Sequence, residues 1–491
     1  MLNLIKNELI KLFNKKTIYV MVILVILLSI LTMYISKKQN QSKNNYNKIS
    51  LIEIENVKNS SKTKEDKTYL TSLVRDYVID DIFKDKTIKN ELKNYYKNEL
   101  LKSKFNYYSM KITEEYLSKN IELNKTYFYN ELKNYILNIN KEEIKTLIKK
   151  DKEEYKNNQL NEAVNLLTFY ENNNVDFSNE RLVEKYNLLY SYNQDISQIK
   201  LRVKEIEKNI DNVGKENKNT QTYKNLTEQL KEQNLNLKRV SLNAQVIEKE
   251  IKNKVFSSDD NLLVSNANNA KTLTLFFLLI GMIAIGASIV SEEYSKSTIK
   301  LLLIRPYSRS KILLAKYITT LISMLILLII MFVVSLILNA IYNGGNVFDT
   351  LIYGNLLTNK VVTTSVLMYY IKLMISFIPM ILMYTTLAFS ISVLTMSSSI
   401  ANMLSFGIFF ISQILEGLAI VFNFSLIKYS FTVVSDYTSY VSMISYGNSM
   451  FNVANKFNLT LLEQNITYIL YMILFLTLAF VVFKKRDIKN I

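Results

Sequence analysis

Residues 17–36 read TIYVMVILVILLSILTMYIS, twenty positions without a charge, and Lys15 and Lys16 stand immediately before them. A helix that crosses the hydrocarbon of a bilayer needs about 20 apolar residues, so this run predicts a membrane span. It exceeds the apolar region of a secretory leader, and SKKQNQSKNN behind it offers no small-residue cleavage site. It reads as a retained signal anchor. Further uncharged runs predict spans at Thr272–Ser291, at Tyr317–Ile341 and at Gln464–Phe483, the last followed at once by Lys484, Lys485 and Arg486. The uncharged stretch Leu373–Leu415 is too long for one span and is divided at Thr395–Ser399 into Leu373–Leu394 and Ile400–Val421. The expectation is an all-α membrane protein with six transmembrane helices.

Composition narrows the chemistry. Of 491 residues none is Cys and none is His, which removes thiol and imidazole catalysis, zinc sites, haem ligation and disulfides. Only 9 Gly and 2 Pro leave little for phosphate-cradling loops or a turn-dense sandwich. The net charge of +17 lies partly in short clusters beside the apolar runs, the pattern of a membrane protein rather than of a nucleic-acid binder. No nucleic-acid partner is expected; the lipid bilayer is.

The same clusters orient the chain. Lys6, Lys11, Lys15 and Lys16 precede the first span. Lys296, Lys300, Arg305, Arg309, Lys311 and Lys316 fill the link between spans two and three, and Lys484, Lys485, Arg486 and Lys489 close the chain. With six spans, all three clusters share one side. The chain is expected in a bacterial cell membrane, multi-pass, with both termini cytoplasmic. Residues 37–271 are then extracellular.

That large segment holds 42 Lys/Arg and 35 Asp/Glu, yet it is not featureless. Tyr192, Ile196, Ile199, Val203, Ile206, Ile210 and Val213 step alternately by four and three, and after Gly214 the step resumes at Leu226, Leu230, Gln233, Leu237, Val240, Ala244, Ile247 and Ile251. Two heptad runs around a Gly-containing turn predict an antiparallel, coiled-coil-like helical hairpin. The same pattern also suits two ordinary amphipathic helices of a helical domain. Carboxylate pairs such as Asp80–Asp81, Glu142–Glu143 and Asp259–Asp260 read as solvated charge.

No Walker A motif occurs; Gly214-Lys215 lacks the upstream Gly and the following Ser/Thr. The chain is therefore not expected to be an enzyme, and no catalytic, cofactor or metal residues are assigned. One segment is more specific. Residues 292–316 read EEYSKSTIKLLLIRPYSRSKILLAK. Thr298–Leu303 suits a short helix that must stop before Pro306, and Ser308 can cap the helix that continues into span three. The plain alternative is a basic loop obeying the positive-inside rule.

This segment resembles the cytoplasmic link of ABC transporter permeases of the type-2 export class, the ABCG-like, type V exporter fold. Thr298, Ile299, Lys300, Leu301, Leu302, Pro306, Ser308, Arg309 and Lys316 match the pattern, while Ser297 replaces its usual Gly. The likeness extends to the six-span layout and to the amphipathic start LNLIKNELIKLF, but not to residues 37–271. It implies a permease that dimerises with a second permease copy, as homodimer or with a related chain. It implies too that a separate ABC ATP-binding subunit holds the ATP and Mg, with no cofactor in this chain. Glu292, Glu293, Thr298, Ile299, Lys300, Leu301, Leu302, Arg305 and Arg309 would then form the ATPase coupling segment, Thr395–Ser399 a second contact, and Asn423–Glu463 an outer re-entrant region. In the resulting division, 1–16 is an amphipathic connecting helix with Leu2, Ile5, Leu9, Leu12 and Phe13 on one face, and 17–36 is the first span. Residues 37–271 form the extracellular helical domain, 272–483 the five-helix region and 484–491 a basic tail.

Glu416 stands alone in span five, and an ionisable group inside a membrane is a functional candidate; the structural alternative is that, about 24 Å along the span from Ile400, it reaches water near the outer interface or pairs with Lys372. With Asn402, Ser405 and Gln413 it marks a candidate translocation path; the same three residues also suit helix packing. The function expected is outward, ATP-driven movement of a lipophilic or amphipathic substrate such as a peptide antibiotic, drug or lipid. The alternatives are a six-span scaffold with a large ectodomain, of the phage-infection or secretion-accessory type, and ATPase-driven mechanotransmission without transport.

Overall fold

The structure is a computed structural model and describes residues 1–16, 84–97, 143–214, 220–255, 276–299, 307–343, 348–441, 456–457 and 459–486, with several helical positions between 18 and 34. It divides into two compact units: residues 38–256, and residues 1–37 together with 257–491.

The chain begins with α1 (Leu2–Phe13). Its buried residues are Leu4, Ile5, Glu8 and Leu12, whereas Leu2 is 82% exposed. The buried stripe is therefore rotated from the one expected through Leu2, and it carries a carboxylate.

The unit 38–256 contains α2 (Asn90–Tyr96), α3 (Ile144–Asn157), α4 (Asn161–Asn172), α5 (Glu180–Val213) and α6 (Gln221–Asn253). Asn179 caps α5 by accepting from the Leu182 N–H, and Thr220 caps α6 by accepting from Tyr223. Helix α5 ends at Gly214, whose φ of 77° favours glycine. Leu189, Tyr192, Ile199 and Val203 of α5 pack with Val240, Ala244 and Ile247 of α6. Lys185 near the start of α5 pairs with Glu250 near the end of α6 at 3.0 Å. The two helices thus run antiparallel, along residues the sequence pattern marks.

The second unit continues with α7 (Phe276–Ser288), α8 (Ser291–Ser295) and α9 (Arg309–Asn343). A hairpin of β1 (Thr350–Asn355) and β2 (Lys360–Ser365) follows, antiparallel with Thr350 opposite Ser365 and Asn355 opposite Lys360. Then come α10 (Val366–Thr395), α11 (Ser398–Val421), α12 (Phe431–Ser435) between two short 3-10 turns, and α13 (Leu461–Lys485). Among the described residues four helices are long and apolar enough to cross a membrane, within α9, α10, α11 and α13. The run Thr272–Ser291 is represented by the 13-residue α7. The run Thr17–Ser36 falls largely outside the described residues, so the count of six stays an expectation. The division at Thr395–Ser399 is present: α10 stops at Thr395, Met396 takes a left-handed φ of 56°, and α11 starts at Ser398.

The core of this unit gathers Met282, Ile283 and Val290 with Leu313, Leu327, Tyr384, Ala388, Phe389 and Phe409. Helix α7 lies hard against α10, because a Cβ on Gly286 would meet the Thr385 carbonyl at 2.8 Å. The β hairpin is an addition to the all-helical expectation. Leu351 and Tyr353 join Val366, Tyr369, Tyr370 and Leu373 in a small core at the α10 N-terminus.

Candidate functional site

At one end of the bundle, segments far apart in sequence converge. Helix α1 lays Leu4 and Ile5 on Ile312 and Ala315 at the start of α9. Burying each large side chain contributes about 1.5–3 kcal/mol. The same contact buries charge. Lys316, 1% exposed, donates to Glu8 at 2.7 Å and to Glu293 at 3.0 Å. Lys11 and the Thr298 hydroxyl also donate to Glu293, and Lys15 pairs with Glu292 at 2.7 Å. One ammonium therefore joins α1, α8 and α9. Burial pushes the Glu293 carboxyl up, but the Lys316 charge, with hydrogen bonds from Lys11, Thr298 and Lys316, prevails and holds it at about 2.

The turn between α10 and α11 lies beside α8. The Ser392 hydroxyl accepts from the Ser291 N–H at 2.9 Å, the Ser291 and Ser398 hydroxyls are 3.2 Å apart, and Ser295 accepts from the Ser398 N–H at 3.3 Å. The chain's basic end closes the arrangement. Arg486 donates to the Val393 and Leu394 carbonyls at 2.6 and 2.8 Å, where the end of α10 leaves carbonyls without helical partners. Arg309 donates in turn to the Arg486 carbonyl at 2.7 Å, and Ser308 accepts from the Lys311 N–H at 3.4 Å as a cap of α9.

Of the residues assigned to coupling, Glu292, Glu293, Thr298, Ile299 and Arg309 belong to this end, with Ile299 fully buried. Lys300, Leu301, Leu302 and Arg305 lie outside the described residues. The sequence reading assigned none of Glu8, Lys316 and Arg486 to the site, although Lys316 matched the link pattern. A carboxylate on the apolar face of α1 and a lysine inside an apolar run were the available signals.

The candidate path residues all lie on α11. Asn402 donates to the Ser398 carbonyl at 2.8 Å and Ser405 to the Ala401 carbonyl at 2.7 Å, both within the helix. Gln413 reaches across to the Tyr384 hydroxyl at 3.3 Å, and that hydroxyl is 3.0 Å from Ser412. The Glu416 Oε1 is buried without a hydrogen-bond partner among the described residues. Lys372 is exposed, and among the described residues it makes no ion pair with Glu416. Asn402 and Ser405 thus bond within α11, with the Asn402 Oδ1 left buried and unpartnered among the described residues, and Gln413 meets a polar group of α10.

The model of the ABC-2 family transporter proteins matches residues 2–488. The chain belongs to the ABC-2 transporter family. It is also similar to the uncharacterized protein YhcI of Bacillus subtilis (strain 168), 31% identical over 243 residues that make up 46% of this chain and 68% of that protein. As an ABC-2 protein it is a multi-pass membrane permease component of an ABC transporter, and the family implies an ABC ATP-binding subunit as partner. Permeases of this family carry no ATPase activity of their own, and among the described residues no group of His, Cys, Asp or Glu is arranged to hold a metal. The convergence of α1, α8, the α10–α11 turn and Arg486 is thus the part of an ABC-2 permease built around the link.

Proposed function

We propose that this permease moves a lipophilic or amphipathic substrate, of the peptide-antibiotic, drug or lipid kind, outward across a bacterial cell membrane. It works with a second permease copy and a separate ATP-binding subunit. The link 292–316 receives the ATPase stroke, both termini are cytoplasmic, and residues 37–271 form an extracellular helical domain with a coiled-coil hairpin. Asn402, Ser405, Gln413 and Glu416 mark the path.

The observation that supports this most is the ion cluster. A cytoplasmic loop that only obeyed the positive-inside rule would have no use for a buried lysine shared by Glu8 and Glu293. Burying three charges carries a large desolvation cost. A link that must transmit force gains from that fixed base. The Leu-Leu-Leu-Ile run at 301–304 is apolar enough to dock into a partner.

The test is co-purification of the ATP-binding subunit with the full-length permease. Leu302→Asp with Arg305→Glu should abolish association while the chain still inserts into membranes. Full ATPase association and hydrolysis in a well-inserted double variant would remove the coupling assignment.

A further inference from the structure

Lys484, Lys485 and Arg486 read in the sequence as three equivalent charges behind the last span, yet their surroundings differ. Lys484 and Lys485 are exposed, whereas Arg486 is half-buried. Its Nη1 donates to the Val393 carbonyl at 2.6 Å and its Nη2 to the Leu394 carbonyl at 2.8 Å, and the guanidinium lies 5.8 Å from the centre of the Tyr294 ring. Both carbonyls belong to the last turn of α10, beyond which no helical N–H remains to meet them. A planar guanidinium can serve two adjacent acceptors and an aromatic face together, which an ammonium cannot. The backbone of the same residue is held too, because its carbonyl accepts from Arg309 at the start of α9 at 2.7 Å. One residue at the end of α13 thus meets α8, α9 and α10.

The other bonds between α8 and the α10–α11 turn are neutral. The Ser392 hydroxyl accepts from the N–H groups of Val290 and Ser291 at 3.2 and 2.9 Å, and Ser295 accepts from the Ser398 N–H at 3.3 Å. Each such bond contributes less than one from a charged donor. The turn itself passes through Met396 at a φ of 56°, a conformation unfavourable for a residue with a side chain. It therefore gains from an outside hold, and Arg486 supplies the charged one.

We propose that Arg486 is a positioning residue that fastens the α10–α11 turn to the first helix of the link, so that the two move as one body. The purpose of this fastening rests on the coupling reading above. The fastening itself does not, and it can be measured without an ATP-binding subunit.

The chain has no cysteine, so a single introduced thiol reports local opening. Ser291→Cys, fully buried where α8 meets the turn, is labelled with a maleimide in the full-length permease in detergent. Ser435→Cys, equally buried in α12, reports opening elsewhere. Arg486→Ala should raise the labelling rate of Ser291→Cys about tenfold or more, the change expected from losing one hydrogen bond to a charged group, and leave Ser435→Cys as it was. Arg486→Lys keeps the charge but not the fork and should act much as Arg486→Ala does, while Lys484→Ala should have no effect. An unchanged Ser291→Cys rate in Arg486→Ala, an equal rise at Ser435→Cys, or full protection by Arg486→Lys overturns the proposal. In the complex with the ATP-binding subunit, Arg486→Ala should lower ATP hydrolysis while the subunit still co-purifies. Hydrolysis that stays unchanged despite faster labelling would count against the coupling reading and leave the fastening standing.

Discussion

Lys316 shows what one residue decides. It stands 308 positions from Glu8 and 23 from Glu293, yet contacts both in a buried setting. Lys316→Met removes the shared cation, leaving Glu8 without its partner and Glu293 with only Lys11 and the Thr298 hydroxyl. Breaking a buried pair in this way costs about 3–5 kcal/mol, which should appear as a lower thermal midpoint of the detergent-solubilised chain. Adding Glu8→Leu should restore part of the loss, because a buried pair can be replaced by apolar packing at little cost. A midpoint unchanged by Lys316→Met would mean the cluster bears no weight. Acid should act through Glu293. Its folded value of about 2 lies below its ordinary 4.5, so its stabilisation is complete above about pH 4.5 and fades as pH falls toward 2. Glu293→Gln should flatten the thermal midpoint across that window, and an unaltered acid limb would refute the assignment. The lysine was legible as a charge before a span. Its partners were not, because the pairing depends on how α1 rolls onto α9.

At the scale of elements, apolar length and composition carried the reading a long way. The helices over 366–395, 398–421 and 461–485 each begin within about seven residues of the expected span and end within about two, and the break at Thr395–Ser399 fell where a left-handed Met396 now stands. The heptad steps named residues that α5 and α6 bury against each other. The β hairpin escaped for a physical reason. Five consecutive β1 residues, Leu351–Asn355, are buried, so the strand shows no alternation of apolar and polar positions. Val361, Val362, Thr363 and Thr364 in β2, all β-branched, were the signal available. The tightness between α7 and α10 was also hidden, since one glycine in an apolar run has many explanations. Here Gly286 admits the Thr385 carbonyl. Gly286→Ala should force the two helices apart and cost about 1–3 kcal/mol, read by thermal unfolding. Gly407→Ala, with nothing within 4 Å of a Cβ, serves as the matched control. Equal behaviour of the two variants would show that the close approach is unimportant.

For the whole molecule, the division into two units raises the question of how far one can be altered without the other. The α5–α6 pairing gives a way to ask it. Leu189 and Ile247, Tyr192 and Ala244, Ile196 and Val240, and Ile199 and Leu237 fall into one antiparallel register, in line with the Lys185–Glu250 ion pair, since each forward step of three or four on α5 is matched by an equal backward step on α6. Two further steps bring Val203 opposite Gln233 and Ile206 opposite Leu230. Beyond Val203 and Val240 the described side chains are exposed or half-buried. Replacing residues 207–229 with a short Gly/Ser turn therefore removes the distal part and leaves each of these facing pairs in place. A shorter connecting loop also lowers the closure entropy modestly. The trimmed chain should keep its helical circular dichroism per residue, reach the membrane in the wild-type amount and retain its ATP-binding subunit. A cut that ignores the register, such as 204–249, strips Val240, Ala244 and Ile247 from their partners and should expose Leu189, Tyr192 and Ile199 to water. That second chain should lose solubility or be degraded. If the matched trim fails as badly as the mismatched one, the distal hairpin is needed for assembly and the two units are not separable in function.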